Sequence, residues 1–270
     1  MHDPFEIARN AIKPQSPLRP VARITQVNGD QITIHGWDEE PTIGSAALVR
    51  STKQKARATV THLTGGEVGL TLESTTLGVK RGDIVTLEPA REFRPGDHWI
   101  GRVINPDGVP LDGRRLADGM GSRAIFAKPP PAFERRPLGA RFDTGYLVFD
   151  TFLPIVRGQR VGLFAGSGVG KSTLLGGLAK SVPADVIVIA LVGARGREVN
   201  EFITNVLGPT GMQRSIVVAA TSDQPARLRE ACAPAATAIA EHFRDQGKHV
   251  LLLIDSVTRM AEAHREVAAS

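Results

Sequence analysis

The sequence predicts an α/β protein in which a small antiparallel β-barrel precedes a parallel sheet covered by helices on both faces. Three observations carry this reading. Apolar residues alternate with polar ones between about 18 and 92, broken by glycine turns; strands and helical stretches alternate beyond about 145; and a glycine-rich loop opens a helix at Lys171. At 270 residues the chain has room for one large or two modest domains.

The first segment, 1–17, holds Phe5, Ala8 and Ile12 at i, i+3 and i+7 before Pro14, the spacing of one or two amphipathic helical turns. It reads as a partner-binding helix or as a frayed end, since two turns are marginal alone in water. The second segment, 18–92, reads as the barrel. Ile32, Ile34 and Gly36 alternate with polar neighbours, Val68, Leu70 and Leu72 repeat the pattern, and Ile84, Val85 and Leu87 close it. Asn28-Gly29, Gly65-Gly66, Gly78 and Gly82-Asp83 supply the turns. Such a barrel serves as an oligonucleotide binder or an assembly collar. With one Tyr and two Trp in the chain, stacking platforms have little material, which favours the collar. The third segment, 93–270, opens on a stretch rich in Pro, Gly and charge that includes Asn105-Pro-Asp-Gly108 and Pro129-Pro-Pro131 and reads as a linker to about 145. Strands are expected at 160–164, 186–192, 215–220 and 249–254, each followed by a helix.

Composition narrows the function. The net charge of +5 is mild, permitting polyanion partners without requiring them. A single cysteine, Cys232, excludes an internal disulfide and a multi-thiolate metal site, and reads as a small buried apolar residue on a helix. No pair of the seven histidines has the H-x-x-x-H spacing of a zinc site. The apolar run Val186 to Val192 is too short to cross a bilayer, and the first twenty residues lack a signal-peptide core, so a cytoplasmic chain is expected.

The informative stretch runs from Arg160 to Thr173. An apolar segment enters Ala165, Gly166, Ser167, Gly168, Val169 and Gly170, and then Lys171, Ser172 and Thr173 open a helix through Leu174, Leu175 and Leu178. Glycines let the backbone curl so that successive N–H groups face a phosphate, and the helix N-terminus adds partial positive charge. The lysine reaches the β- and γ-phosphates, and the Ser172 hydroxyl suits magnesium. Ala165 stands where the strict pattern begins with Gly, which is harmless at negative φ and a defect at positive φ. Leu251-Leu-Leu-Ile-Asp255 is a buried-strand pattern ending in a carboxylate. At the C-terminal edge of the same sheet, Asp255 would hold magnesium beside the loop.

Several stretches together resemble the flagellum-specific and type III secretion ATPases of the rotary ATP synthase catalytic-subunit superfamily. They are Gly101 to Gly113, Phe164 to Thr173, Gly196-Arg-Glu-Val199, Ala220-Thr-Ser-Asp223, Glu241 to Gln246 and Asp255-Ser-Val-Thr-Arg259. The resemblance covers nearly the whole chain after residue 18. It implies a RecA-like P-loop core behind an N-terminal β-barrel, a homohexamer, and ATP hydrolysis with magnesium coupled to protein export. It also implies a stator-like regulatory protein on the N-terminal helix, contacts with export-gate components and exported proteins or their chaperones, and a place at the inner face of the cell membrane. No nucleic-acid partner is implied. Lys171 and Arg259 map onto catalytic positions, while Glu198 maps onto a second-sphere magnesium contact and is a weak substitute for a base.

Three features depart from that pattern. The family's Gly-Glu-Arg reads Gly193-Ala194-Arg195 here, and a methyl group cannot polarise the attacking water, a loss typically worth about 10²–10⁴-fold. The position is either naturally degenerate or engineered. The 15 residues after Asp255 leave the expected core incomplete at its C-terminus, without the arginine finger, the adenine pocket or the C-terminal helical domain. Pro234 falls within the helical run 226–246, where it either opens the helix in its first turn, the cheaper option, or bends it. Other positive residues have bland roles open to them: Arg259 could pair with Glu262, Arg195 and Arg197 could face a neighbouring subunit or solvent, and Arg135-Arg136 reads as solvated charge. Thr221-Ser222-Asp223 fits a switch or a helix N-cap equally. The leading expectation is a type III export ATPase subunit, flagellar rather than injectisome. The alternatives are a non-catalytic nucleotide-binding ring subunit and, more remotely, an RNA-dependent hexameric helicase.

Overall fold

The structure, a computed structural model, describes residues 21–37, 41–51, 55–72, 78–88, 93–166 and 168–269. The helix read at 1–17 and the loop residue Ser167 lie outside them. The chain divides into two compact units, Met1–Arg91 and Glu92–Ser270.

In the first unit, period-two alternation folds into a closed barrel. Its strands are β1 (Val21–Asn28), β2 (Gln31–His35), β3 (Ala46–Arg50), β4 (Lys55–Thr64), β5 (Glu67–Leu72) and β6 (Ile84–Leu87), in the spatial order β1-β2-β5-β4-β3-β6. Every pairing is antiparallel. Alternate residues, among them Ile24, Ile32, Ile34, Val49, Val60, Leu70 and Val85, fill the interior. The β4–β5 hairpin turns on Gly65 and Gly66, at φ +55° and +90°, a conformation that a side chain would strain. Closure removes the free edges that a six-stranded sheet would otherwise present.

The second unit is a parallel sheet in the order β10-β8-β9-β7, built from β7 (Val103–Ile104), β8 (Val186–Ala194), β9 (Ser215–Thr221) and β10 (Val250–Asp255). The helices are α1 (Lys171–Ser181), α2 (Gly196–Glu201), α3 (Gly208–Met212), α4 (Ala226–Asp245) and α5 (Val257–Ala268), with a π-helical turn at Phe202–Leu207 between α2 and α3. Side chains alternate across the sheet, so β8 sends Val186, Val188, Ala190 and Val192 into one layer and Ile187, Ile189 and Leu191 into the other. The first layer packs on the alanine-rich face of α4, which includes Cys232, Ala236, Ile239 and Phe243. The second packs on Leu175, Leu178 and Ala179 of α1 and on Phe202 and Leu207 of the π turn. Burial on both faces is why β8 reads as an unbroken apolar run. Burial also pushes the Cys232 thiol up to about 12, so it is held as an inert neutral group.

Three expectations need correction. Residues 160–164 form no strand: they lie outside the sheet as irregular chain, with Val161 49% and Phe164 98% exposed. Their apolar sequence carries β-propensity, but a strand exists only where a neighbour supplies its ladder. Among the described residues β10 pairs with β8 alone. The stretch read as linker, conversely, contributes β7, whose Val103 and Ile104 pair with Val217 and Val218. Two residues are too few to register as a period. Finally, α4 runs unbroken from Ala226 to Asp245 with Pro234 inside it. The buried alanine face on either side of Pro234 outweighs a proline cost of about 3 kcal/mol.

The β7 region is tied down by Arg102, which is buried and donates from Nε and Nη2 to the two oxygens of Asp112 at 2.6 and 2.8 Å. Its Nη1 and Nη2 also donate to the carbonyls of Arg115 and Arg114. These bonds hold the Asp112 carboxyl well below the usual carboxylate range, against the opposing effect of its partial burial. The folded state therefore binds fewer protons at this group than the unfolded chain. Its stabilisation is complete above the unfolded value of about 3.9 and is lost as pH falls below it. Two outcomes are expected in denaturant titrations: Arg102→Ala should cost about 3–5 kcal/mol, because it strands a shielded carboxylate, and Asp112→Asn should flatten part of the loss of stability below about pH 4.

Candidate nucleotide-binding site

The site forms where the glycine loop meets the C-terminal end of β10. Gly168 and Gly170 have φ of +79° and +97°, so the chain curls through left-handed conformations just before α1. A Cβ placed on Gly166, Gly168 or Gly170 would meet nothing within 4 Å, so the concave side of the loop is open. Ala165 adopts no positive φ, and its methyl group is tolerated. Val169 is exposed, as are Ser172 and Thr173 on the first turn of α1.

The chemistry converges on Asp255. Lys171 Nζ lies 2.7 Å from its Oδ1, and Ser172 Oγ donates to its Oδ2 at 2.7 Å. Strand β10 thus delivers a carboxylate to the first turn of α1, from residues more than eighty positions away in the chain. A hydroxyl and a carboxylate side by side are hard oxygen donors of the type magnesium takes, and they stand beside an ammonium group and an open, glycine-lined loop at a helix N-terminus. These residues fit a magnesium–nucleotide. The peptide bond from Asp255 to Ser256 is cis.

The other site residues stand at the adjoining end of β8. Ala194 is buried, and its carbonyl accepts the N–H of Ser222 at 3.0 Å, which joins the ends of β8 and β9. Glu198 turns back on its own helix: its carboxylate accepts the N–H of Arg195 at 3.2 Å, a helix-capping bond. Arg259, on the first turn of α5, lies 3.9 Å from Glu198 in a loose, half-exposed pair. Its partner is therefore Glu198 rather than Glu262. A Cβ on Gly193 would stand 3.3 Å from Arg259 Cδ, so the arginine stem rests on that glycine. Arg195, Arg197, Arg135 and Arg136 are exposed. The segment Thr221 to Asp223 does not cap α4, whose N-cap is Pro225.

Sequence reasoning missed how tightly α1 is gripped. A Cβ on Gly176 would fall 2.0 Å from Val206 Cγ1, and one on Gly177 would fall 1.7 Å from the Tyr146 hydroxyl. Both glycines therefore serve close approach, to the π turn and to the 145–146 loop respectively. The available signal was a Gly-Gly pair inside a helical run, where glycine needs a packing reason.

A glycine-rich loop feeding a helix, with a strand-end carboxylate on its lysine and serine, defines a P-loop nucleotide-binding protein. Residues 145–270 match the nucleotide-binding domain of the ATP synthase alpha/beta family. The flagellum-specific ATP synthase of Treponema pallidum is 42% identical over 261 residues, which cover 95% of this chain and 58% of that protein. That of Bacillus subtilis is 52% identical over 172 residues, 64% of this chain and 39% of that one. The ATPase EscN of the enteropathogenic E. coli type III secretion system, solved as an assembly with its central stalk EscO, superposes with a TM-score of 0.84 at 38% identity. That superposition covers 92% of this chain and 60% of EscN. The chain is thus similar to the ATP synthase alpha/beta family, and within it to the flagellar and type III secretion ATPases. It spans about three fifths or less of the length of these relatives.

Because Gly176 is pressed against Val206, Gly176→Ala should force the π turn away from α1. A loss of about 1–3 kcal/mol is expected, read as a fall in melting temperature.

Proposed function

We propose that this chain is the nucleotide-binding part of an ATPase subunit that energises type III protein export, flagellar in preference to injectisome. The observation that carries this reading is the convergence of Lys171 and Ser172 on Asp255 beside an open glycine loop. The relatives' names supply the process: flagellum-specific ATP synthases, and an ATPase of a type III secretion system.

In this reading the backbone N–H groups from Ala165 to Gly170, Ser167 included, cradle the phosphates with the N-terminus of α1 behind them. Lys171 places its charge on the β- and γ-phosphate oxygens, and Ser172 and Asp255 hold magnesium, with Thr173 flanking the nucleotide. Magnesium, when bound, acts as a Lewis acid that offsets charge on those oxygens. Arg259, resting on Gly193, adds positive charge near the γ-position. At Ala194 the family pattern has a glutamate that orients and deprotonates water, and the methyl group does neither. Glu198 does not take over, because its carboxylate is occupied by the Arg195 N–H and faces Arg259. Slow hydrolysis follows. A homohexameric ring is the assembly that the family resemblance implies, and a stalk-like partner is supported by EscN, solved as an assembly with its central stalk EscO. The stator-like regulator, export-gate components, exported cargo and docking at the membrane's cytoplasmic face belong to the same proposal. Among the described residues no helix is long and apolar enough to cross a membrane.

A second reading, a ring subunit that holds ATP as a structural ligand without turning it over, is favoured by Ala194 itself.

Phosphate release and nucleotide occupancy, measured on the same samples, separate the readings. Lys171→Ala should abolish Mg-ATP binding, and retained tight binding would mean the site is elsewhere. Ala194→Glu should raise turnover by about 10²-fold. Unchanged turnover in a variant that still binds nucleotide would favour the structural-ligand reading.

A further inference from the structure

We infer that Arg214 is a positioning residue of the nucleotide site: by clamping the far end of α1, it sets where Lys171 and Ser172 stand at the near end. The inference rests on the nucleotide-binding reading above.

Arg214 lies in the two-residue link between α3 and β9, where β9 begins and at the opposite end of α1 from the glycine loop. Its guanidinium serves a row of carbonyls. Nη2 donates to Ala179 at 2.9 Å and to Lys180, and Nη1 donates to Val182 at 3.1 Å and Ala184 at 3.3 Å. The first two are among the last carbonyls of α1, which have no acceptor role left inside the helix, and the other two lie in the turn leading to β8. Nearby, the Leu178 carbonyl accepts the Val182 N–H, and the Gly177 carbonyl accepts from Ser181 Oγ. A delocalised cation at a helix C-terminus is favoured by the macrodipole as well as by its hydrogen bonds. Arg214 therefore anchors α1 to the edges of both central strands.

The anchor matters for chemistry because α1 is a short rigid lever. Eleven residues span about 16 Å, so a tilt of about 4° shifts one end by about 1 Å relative to the other. Misplacements of that size impair catalytic and binding geometry. At the near end, Lys171 and Ser172 meet Asp255 through single contacts of 2.7 Å each. Along its length α1 is gripped at Gly176 and Gly177, which leaves pivoting about that waist as the motion that Arg214 prevents.

The experiment compares the protein with Arg214→Ala, Arg214→Lys and Arg102→Ala, measuring melting temperature and Kd for ATP with and without magnesium, well below each melting temperature. Arg102→Ala destabilises the same unit without touching α1, so it reports what lost stability alone does. Positioning predicts that Arg214→Ala weakens Mg-ATP binding about tenfold or more and loses most of the gain that magnesium confers. Arg214→Lys, which keeps the charge but not the fork, should fall between, and Arg102→Ala should bind like the parent. If Arg214→Ala melts lower yet binds Mg-ATP as tightly as the parent, the inference is overturned. It is overturned equally if Arg102→Ala weakens binding as much. Should Arg214→Ala not fold, an Arg214→Lys protein with parental affinity and magnesium dependence overturns it. A parent protein that fails to bind Mg-ATP overturns the nucleotide reading first, and this one with it.

Discussion

The carboxylate of Asp255 joins the two halves of the candidate nucleotide site, and the arrangement around it depends on that junction. One oxygen meets the Lys171 ammonium and the other the Ser172 hydroxyl, so strand β10 and helix α1 are linked at the point where the strand ends and the helix begins. The junction works because of what stands behind each partner. Asp255 ends a strand paired in parallel along its whole length to β8, and Lys171 and Ser172 begin a helix whose buried side packs under the same sheet. Shifting β10 by one residue would turn the Asp255 carboxylate to the opposite face of the sheet, and shifting α1 by one would swing Lys171 and Ser172 around the helix by about 100°.

Close packing does the rest of the positioning. Gly176 and Gly177 let the π turn and Tyr146 approach α1 to a distance no side chain would permit. On the opposite face of the sheet, the alanine row of α4 lets a long helix lie flat on β8 and β9. That fit explains why Pro234 is accommodated. The helix is held by what it packs against more than by its own ladder, and one missing N–H does not break it.

The end of β8 is where conformation and chemistry part. At Gly193, Ala194 and Arg195 the backbone is held in place, with Arg259 resting on Gly193 and Ser222 bonded to the Ala194 carbonyl. Nothing in the packing suffers from the methyl group, since it lies buried among apolar neighbours. On the proposed reading, Ala194 therefore bears on turnover and leaves the fold alone. Glu198, the nearest carboxylate, is committed to its own helix end.

Much of this was legible in the sequence. Barrel strands announced themselves through period-two alternation and paired glycines, the central strands through unbroken apolar runs, and the phosphate loop through glycines, lysine and serine in order. These signals are local: each depends on residues within a few positions of one another. What tertiary structure alone decided is pairing. The apolar run 160–164 finds no ladder, while Val103 and Ile104, two residues in a stretch that reads as linker, pair with β9. Arg259 meets Glu198 in place of the nearer Glu262, and Arg214 meets carbonyls some thirty residues earlier in the chain. The sequence by itself determined which segments are able to be strands, helices and a phosphate loop. The fold decided which of them meet, because hydrogen-bond and ion-pair partners are chosen by proximity in space, and proximity is set by how both faces of β8 and β9 are buried.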